Sequence, residues 1–256
     1  MLFAAAPSPG SWHAAWEEVA ALAAVAIVYS TAVRKHEISA LRRRAFDAAL
    51  FVALAAVVSP LATLALDYFL WAHLLQNVAL AEWAPALAVL GLSPAAAAAL
   101  GGKRLFATLA QPFVALPLWL AAYGVWHIPA LYDAALRHRA LLDLEHASYV
   151  VTGFLFWWPV FHSVPRRLRA GGKAAYLFGA FVLASPLGLV LALLPSPIYG
   201  FYEGVPRLWG IGPLTDQQIG GVVMAVSEAI VFFALFAYFF VRFMAEEEAG
   251  YSPGDA

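Results

Sequence analysis

Four candidate metal-binding side chains, His73, His127, His146 and Met224, are thinly spread along this chain. His73 is followed at i+3 and i+4 by Gln76 and Asn77, a spacing that puts all three on one face of a helix. Glu145 stands beside His146, and Asp133 follows His127. Met224 comes shortly after Asp216, Gln217 and Gln218. Imidazole with thioether is a donor set suited to copper, and the thioether favours Cu(I). The chain has no cysteine, which excludes disulfides, thiolate metal sites and Cys-x-x-Cys redox chemistry.

The elements that must position these groups follow from composition. Hydrophobic residues make up 63% of the chain and charged residues only 12%, against roughly 25% in an average soluble domain. So few charges cannot cover so much apolar surface in water, and lipid is the solvent that removes the difficulty. A span needs about 20 apolar residues. Seven stretches meet or approach that length: 16–33, 45–66, 69–92, 105–126, 141–161, 174–194 and 219–241. The expected fold is all-α, a single integral membrane domain over 1–256 built as a seven-transmembrane-helix bundle. Residues Met1 to Ala15 lack a basic n-region and carry Pro7, Pro9 and Gly10, so they are expected as a short exposed leader rather than a cleavable signal.

Of the 15 basic residues, Arg34, Lys35, Arg42, Arg43, Arg44, Lys103, Arg104, Arg166, Arg167, Arg169, Lys173 and Arg242 fall on alternate connections. Only Arg137, Arg139 and Arg207 fall on the other side. By the positive-inside rule the N-terminus lies outside and the C-terminus in the cytoplasm. The outer connection from Pro195 to Thr215, rich in Pro, Gly and aromatics, suits an ordered loop at the interface. Short basic inner connections leave no room for a soluble catalytic domain, and no nucleophile–base constellation, Walker motif or dinucleotide fingerprint is present. An enzyme is not expected, nor is a nucleic-acid partner.

Polar groups inside spans are costly and therefore informative. His73 and the pair Glu145–His146 each lie about 6–8 Å below the outer start of their spans, at 1.5 Å per residue. Met224 lies at a similar depth, and His127 closes its span at the same surface. A shared layer of donors is one reading; interhelical hydrogen bonds worth about 0.6–2 kcal/mol each are the other. For Met224 alone, ordinary packing is the simpler account. Glu82 and Glu228 fall near mid-span, either as neutral acids bonded between helices (a hydroxyl near Ser227 is one partner) or as parts of a proton or ion path. His36, His162, His13 and His138 are expected to be solvated. Pro60, Pro85, Pro112, Pro117, Pro159 and Pro186 are expected to kink or loosen their helices.

Several strings together resemble the CtaG family, the polytopic assembly proteins of caa(3)-type cytochrome c oxidase. They are Ser59-Pro60-Leu61 through Phe69, His73, Gln76, Ala84-Pro85 and Gly91; Trp126-His127-Ile128-Pro129-Ala130-Leu131-Tyr132-Asp133; Leu144-Glu145-His146; Phe156-Trp157-Trp158-Pro159; and Asp216-Gln217-Gln218-Ile219-Gly220-Gly221. The resemblance implies a multi-pass protein of a bacterial plasma membrane that serves maturation of a haem–copper oxidase, with copper delivery the usual supposition. Two positions depart from the family pattern. Asn77 stands where a second His is typical, and Leu142 stands where a His often precedes His146 by four residues.

The leading expectation is an oxidase-assembly factor with a copper site built around His73 and His146. His127 and Met224 are further candidate ligands, and Gln76, Asn77, Asp133, Glu145, Asp216 and Gln217 are supporting polar groups. Haem held by His73 and His146 as axial ligands is also open. The alternative is a metal-free accessory subunit of a respiratory complex, docking through Phe154, Phe156, Trp157, Trp158 and Phe161. A third possibility is a transporter using Glu82 and Glu228, without the inverted repeats that would support it. Oxidase or other respiratory subunits and the bilayer are the expected partners. The cysteine-free background makes the orientation directly testable. A single cysteine at His138 is expected to react with an impermeant maleimide in intact cells, and one at Arg166 only after permeabilisation. The opposite pattern would invert the topology.

Overall fold

The computed structural model describes residues 6–35 and 38–250, so His36 and the start of the leader lie outside the described residues. Every described element is helical. In chain order these are α1 (Trp16–Lys35), α2 (Ala40–Val58), α3 (Pro60–Asp67), α4 (Leu70–Val78), a π-helical turn (Ala79–Trp83), α5 (Ala84–Gly91), α6 (Pro94–Gly101) and α7 (Arg104–Leu109). There follow α8 (Pro112–Trp126), α9 (Pro129–Arg137), α10 (Arg139–Phe161), α11 (Ala170–Leu193), a 3₁₀ turn (Gly200–Glu203) and α12 (Pro213–Gly250).

Three of these segments are long and apolar enough to cross a membrane: Leu70–Gly91, Ala170–Leu193 and Pro213–Ala249. The count among the described residues is five if the bent pairs α2–α3 and α8–α9 each serve as one span. α10 is long enough but less apolar, because it carries Glu145, His146, Trp157, Trp158 and Pro159. Ile27, Phe51, Leu105, Phe113, Leu193 and Val241 are exposed on the outside of the bundle, where a hydrocarbon solvent would meet them.

Ser59 makes the first bend. Its extended backbone ends α2, and its hydroxyl accepts from the Leu61 N–H at 3.2 Å, starting α3 with Pro60 in the first position. The two helices meet at 44° rather than forming one straight span over 45–66. The bend frees the Val58 carbonyl, which accepts from the His13 N–H at 2.9 Å. Thr63 donates to the Ser11 carbonyl at 2.9 Å. The leader is therefore tethered to the bundle at Ser11 and His13, with Ala15 buried, while most of residues 6–14 are exposed as expected. His13 is likewise engaged, its Nε2 3.2 Å from Arg139. Burial, and then the guanidinium, hold its pKa below the ordinary imidazole value. His162 is also buried rather than solvated, with Nε2 2.9 Å from the Val89 carbonyl. His138 is exposed.

Leu70–Gly91 forms one continuous rod of 22 residues. Its π turn has a cause in the sequence. Pro85 has no N–H to give Ala81 O, and its ring would collide with that carbonyl in a regular helix. The backbone widens instead, the Ala84 N–H reaching five residues back to Ala79 O. The Ala81 carbonyl then lies hard against Gly153 of α10, where a β-carbon would stand only 2.2 Å from the oxygen. A second close approach joins α11 to α12: a β-carbon at Gly221 would be 2.5 Å from Gly188 O. Small residues thus let backbones touch where lipid offers no hydrophobic drive between helices.

The rings expected as a docking face are core instead. Phe156, Trp157 and Trp158 are fully buried, and Phe154 and Phe161 half-buried. Phe156 stacks on Trp119 at 4.6 Å, and Trp157 on Phe232 at 5.6 Å. Composition alone does not separate a ring that faces lipid from one that faces a neighbouring helix. Gly153→Ala is expected to destabilise the fold by about 1–3 kcal/mol, the usual range for overpacking, and Gly153→Val by more. Thermal unfolding in detergent measures this, and an unchanged midpoint for both variants would contradict the contact.

Candidate metal centre

The rod and α10 bring the two leading imidazoles together. The His73 and His146 ring centroids are 6.3 Å apart, with planes inclined at 38°. Both side chains are buried, and none of their four ring nitrogens has a hydrogen-bond partner. Each ring has its own carboxylate. Glu145 Oε1 lies 3.5 Å from His73 Nε2, and Glu18 Oε1 lies 3.9 Å from His146 Nδ1. That leaves Nδ1 of His73 and Nε2 of His146 turned from their acids and free to bind. A carboxylate behind an imidazole fixes its tautomer and raises its basicity, as at many metal sites.

The acids are themselves anchored. Glu145 accepts from Asn77 Nδ2 at 2.9 Å, so Asn77 serves the site as a neutral donor where the family pattern has an imidazole. Leu142 is a buried apolar residue. Glu18 forms an ion pair with Arg139, which also meets Asp143 at 2.8 Å and Glu17 at 3.6 Å. Glu18 escaped notice in the sequence because an acid at the rim of a span is ordinarily solvated. Its spacing before the first apolar run was the available signal.

The other candidates are placed differently. His127 Nδ1 bonds to the Tyr123 carbonyl at 2.8 Å, which leaves its buried Nε2 without a partner. The ring of Tyr132 adjoins both histidines, 5.9 Å from His127 and 5.2 Å from His73. Met224 belongs to the main apolar core. Among the described residues no group of three or more His, Asp or Glu side chains could hold a metal ion. The candidate donors are therefore the imidazoles of His73 and His146, with Nε2 of His127 a further unpartnered nitrogen.

The remaining polar residues build the walls. Gln76 Nε2 donates to Ala56 O at 2.8 Å and ties the rod to α2. Asp216 caps the rod, accepting from the Leu70 and Trp71 N–H groups at 3.0 Å each, with Arg207 at 3.5 Å. Gln217 accepts from the Ile198 N–H at 2.8 Å and donates to Ser196 O at 3.3 Å, holding the segment after α11. Asp133 accepts from the Phe201 N–H at 3.1 Å. These bonds fix 195–212 in place. Tyr199 lies on Tyr132 at 4.1 Å and donates to His127 O at 3.2 Å. Tyr202 donates to Ala65 O at 2.5 Å. The expected ordered loop is thus held against the bundle beside the site. Tyr132, inside the Trp-His-x-Pro-x-Leu-Tyr-Asp string, is its main contact and was not singled out from sequence.

Helices that can cross a membrane, with polar side chains gathered inside them, define a polytopic helical membrane protein. Residues 22–246 match the cytochrome c oxidase caa3 assembly factor family, and the chain belongs to that family. Among curated proteins it is similar to an uncharacterized protein of Mycobacterium bovis and to one of Mycobacterium tuberculosis. Each is 25% identical over 139 residues, which cover 53% of this chain and 21% of the relative. The chain thus corresponds to about a fifth of those longer proteins. No solved structure matches it.

Asp216→Asn keeps one acceptor and loses the charge and the second. Because bonds to charged groups are worth about 1.5–3 kcal/mol, a loss of that size is expected. Unfolding in detergent by urea or heat reads it; wild-type stability would show that the rod is held by other contacts.

Proposed function

We propose that this protein serves the assembly of a caa3-type oxidase by receiving copper at His73 and His146 and passing it on. In this reading it is a non-catalytic factor of seven spans in a bacterial plasma membrane, with its N-terminus and its copper site on the outer side. Oxidase subunits are its partners and copper is its cargo. The observation that carries the reading is the imidazole pair itself: two buried rings from separate helices, each backed by a carboxylate, with all ring nitrogens unpartnered.

The centroid spacing leaves room for one ion between the rings, in linear coordination where the two free nitrogens face it. A metal–nitrogen bond of about 2.0 Å, plus about 1.1 Å from nitrogen to ring centre on each side, gives a centroid separation of about 6.2 Å. The observed value is 6.3 Å. Linear coordination by two imidazoles is a Cu(I) preference. Charge points the same way, since Glu145 and Glu18 stand beside the two rings and favour a cation between them.

Anaerobic titration of the detergent-purified protein with Cu(I), against a chromophoric chelator, tests this. One equivalent is expected. His73→Ala and His146→Ala should each lose it, and Glu145→Gln should bind about 10–100-fold more weakly, as for other outer-shell partners. Wild type and both alanine variants competing equally for the chelator would remove copper from the proposal while leaving family membership intact.

A further inference from the structure

A second polar site lies deeper in the bundle and is separate from the imidazole pair. Glu82 sits in the π turn and Glu228 on α12; both are fully buried. Tyr123 of α8 donates its hydroxyl to Glu228 Oε1, where sequence had suggested a hydroxyl close to Ser227. Glu228 Oε2 and both oxygens of Glu82 have no partner. The two carboxyl groups lie within electrostatic reach of each other, and Glu82 also acts on Tyr123. The other groups facing the pair are Ser185 of α11 and, one ring further, Tyr149 of α10, itself buried with an unpartnered hydroxyl. The ion pairs of the described residues lie elsewhere, and none brings a Lys, Arg or His to either carboxylate.

Two carboxylates cannot both stay ionised in such a place. Each would be a charge without water or counter-ion, next to another of the same sign. The hydrogen bonding separates their roles. Glu82 has no donor to stabilise an anion, so the neutral acid is its accessible form. Glu228 has the Tyr123 hydroxyl as donor, with the Ser185 hydroxyl beside it, and is the group able to release a proton.

We propose that Glu82, Glu228 and Tyr123 form a proton-binding site inside the bundle, in which Glu82 stays a neutral acid and Glu228 takes up and releases one proton. No bond other than O–H forms or breaks. On release, the charge stays on Glu228 and is held by the Tyr123 hydroxyl. The π turn contributes by setting the face of the rod from which Glu82 projects toward α8 and α12.

Infrared spectroscopy of the lipid-reconstituted protein reads protonated carboxyl groups directly through a deuterium-sensitive C=O band. At neutral pH, bands from both acids are expected; raising the pH should remove the Glu228 band and leave that of Glu82. Glu228→Gln should abolish the titrating band and Glu82→Gln the persistent one, each glutamine being a near-isostere of the neutral acid. Tyr123→Phe keeps the ring on Trp119, 5.3 Å away, but removes the donor. The Glu228 band should then persist to a pH about 1–2 units higher, the worth of a hydrogen bond to a charged group. The proposal is overturned if wild type shows neither carboxylic acid band, or if Tyr123→Phe titrates as wild type does. It is also overturned if sodium at constant ionic strength displaces the proton, which would make this a cation site.

Discussion

One widened turn sets the geometry on which both polar sites depend. In an unbroken α-helix the nine residues from His73 to Glu82 would put them about 180° apart, on opposite faces. The π turn over Ala79–Trp83 takes back part of that rotation, since an inserted residue turns the remainder of the helix by about 100°. His73 therefore meets Glu145 of α10 while Glu82 projects within reach of α8 and α12. The same turn presents Ala81 O to Gly153, which locks α10 at the height where Glu145 and His146 can face the rod. Pro85 is the origin of this and Gly153 its necessary complement.

Burying charge inside a membrane bundle costs several kcal/mol per ion unless it is paired and hydrogen-bonded. Here that cost is concentrated. Glu145 is met by Asn77 and His73, and Glu18 by Arg139. Around these the molecule is freely apolar: Trp119, Phe156, Trp157 and Phe232 interlock between the helices, and lipid-facing aliphatics lie outside them. The segment 195–212 is held beside the site through Gln217 and Asp133, neither of which touches an imidazole. They act by holding Tyr199 and Tyr202 down. Rigid walls around weakly satisfied donors are what a binding site needs and what a merely packed core avoids.

How far the sequence revealed this depends on the kind of residue. Glu145 and His146 stood out because a charge in an apolar run has few bland explanations, and the structure does put His146 beside His73. Glu18 did not stand out, because only the fold shows that Arg139 and His146 enclose it. Pro60 and Pro85 were both visible as disruptions, yet one breaks a helix and the other widens it. The difference lies in Ser59, which supplies a ready N-cap, and in Gly153 on another helix, which receives the freed carbonyl. Trp157 and Trp158 were misread as a surface for the reason that governs every apolar side chain in lipid: both its possible neighbours are hydrophobic. The bend at 44° between α2 and α3 follows from the Ser59 cap, and that at 76° between α8 and α9 falls where Pro129 opens a new helix; hydropathy registers neither.

The small number of donors is itself a physical argument about what the imidazole site can do. A cage of four ligands holds a metal as part of the folded structure, and extraction then costs much of the folding energy. In the copper reading, two imidazoles would leave coordination positions unfilled, so an incoming ligand could bind before either histidine let go, and exchange would need no bare ion. Asn77 and Leu142 bear on this directly, since imidazoles at those positions would lie within or beside the same cluster and raise the number of donors. Tightness and ease of transfer oppose each other. In the copper reading, this chain stands toward transfer, with Glu145 and Glu18 restoring by charge part of the affinity that two missing donors give up.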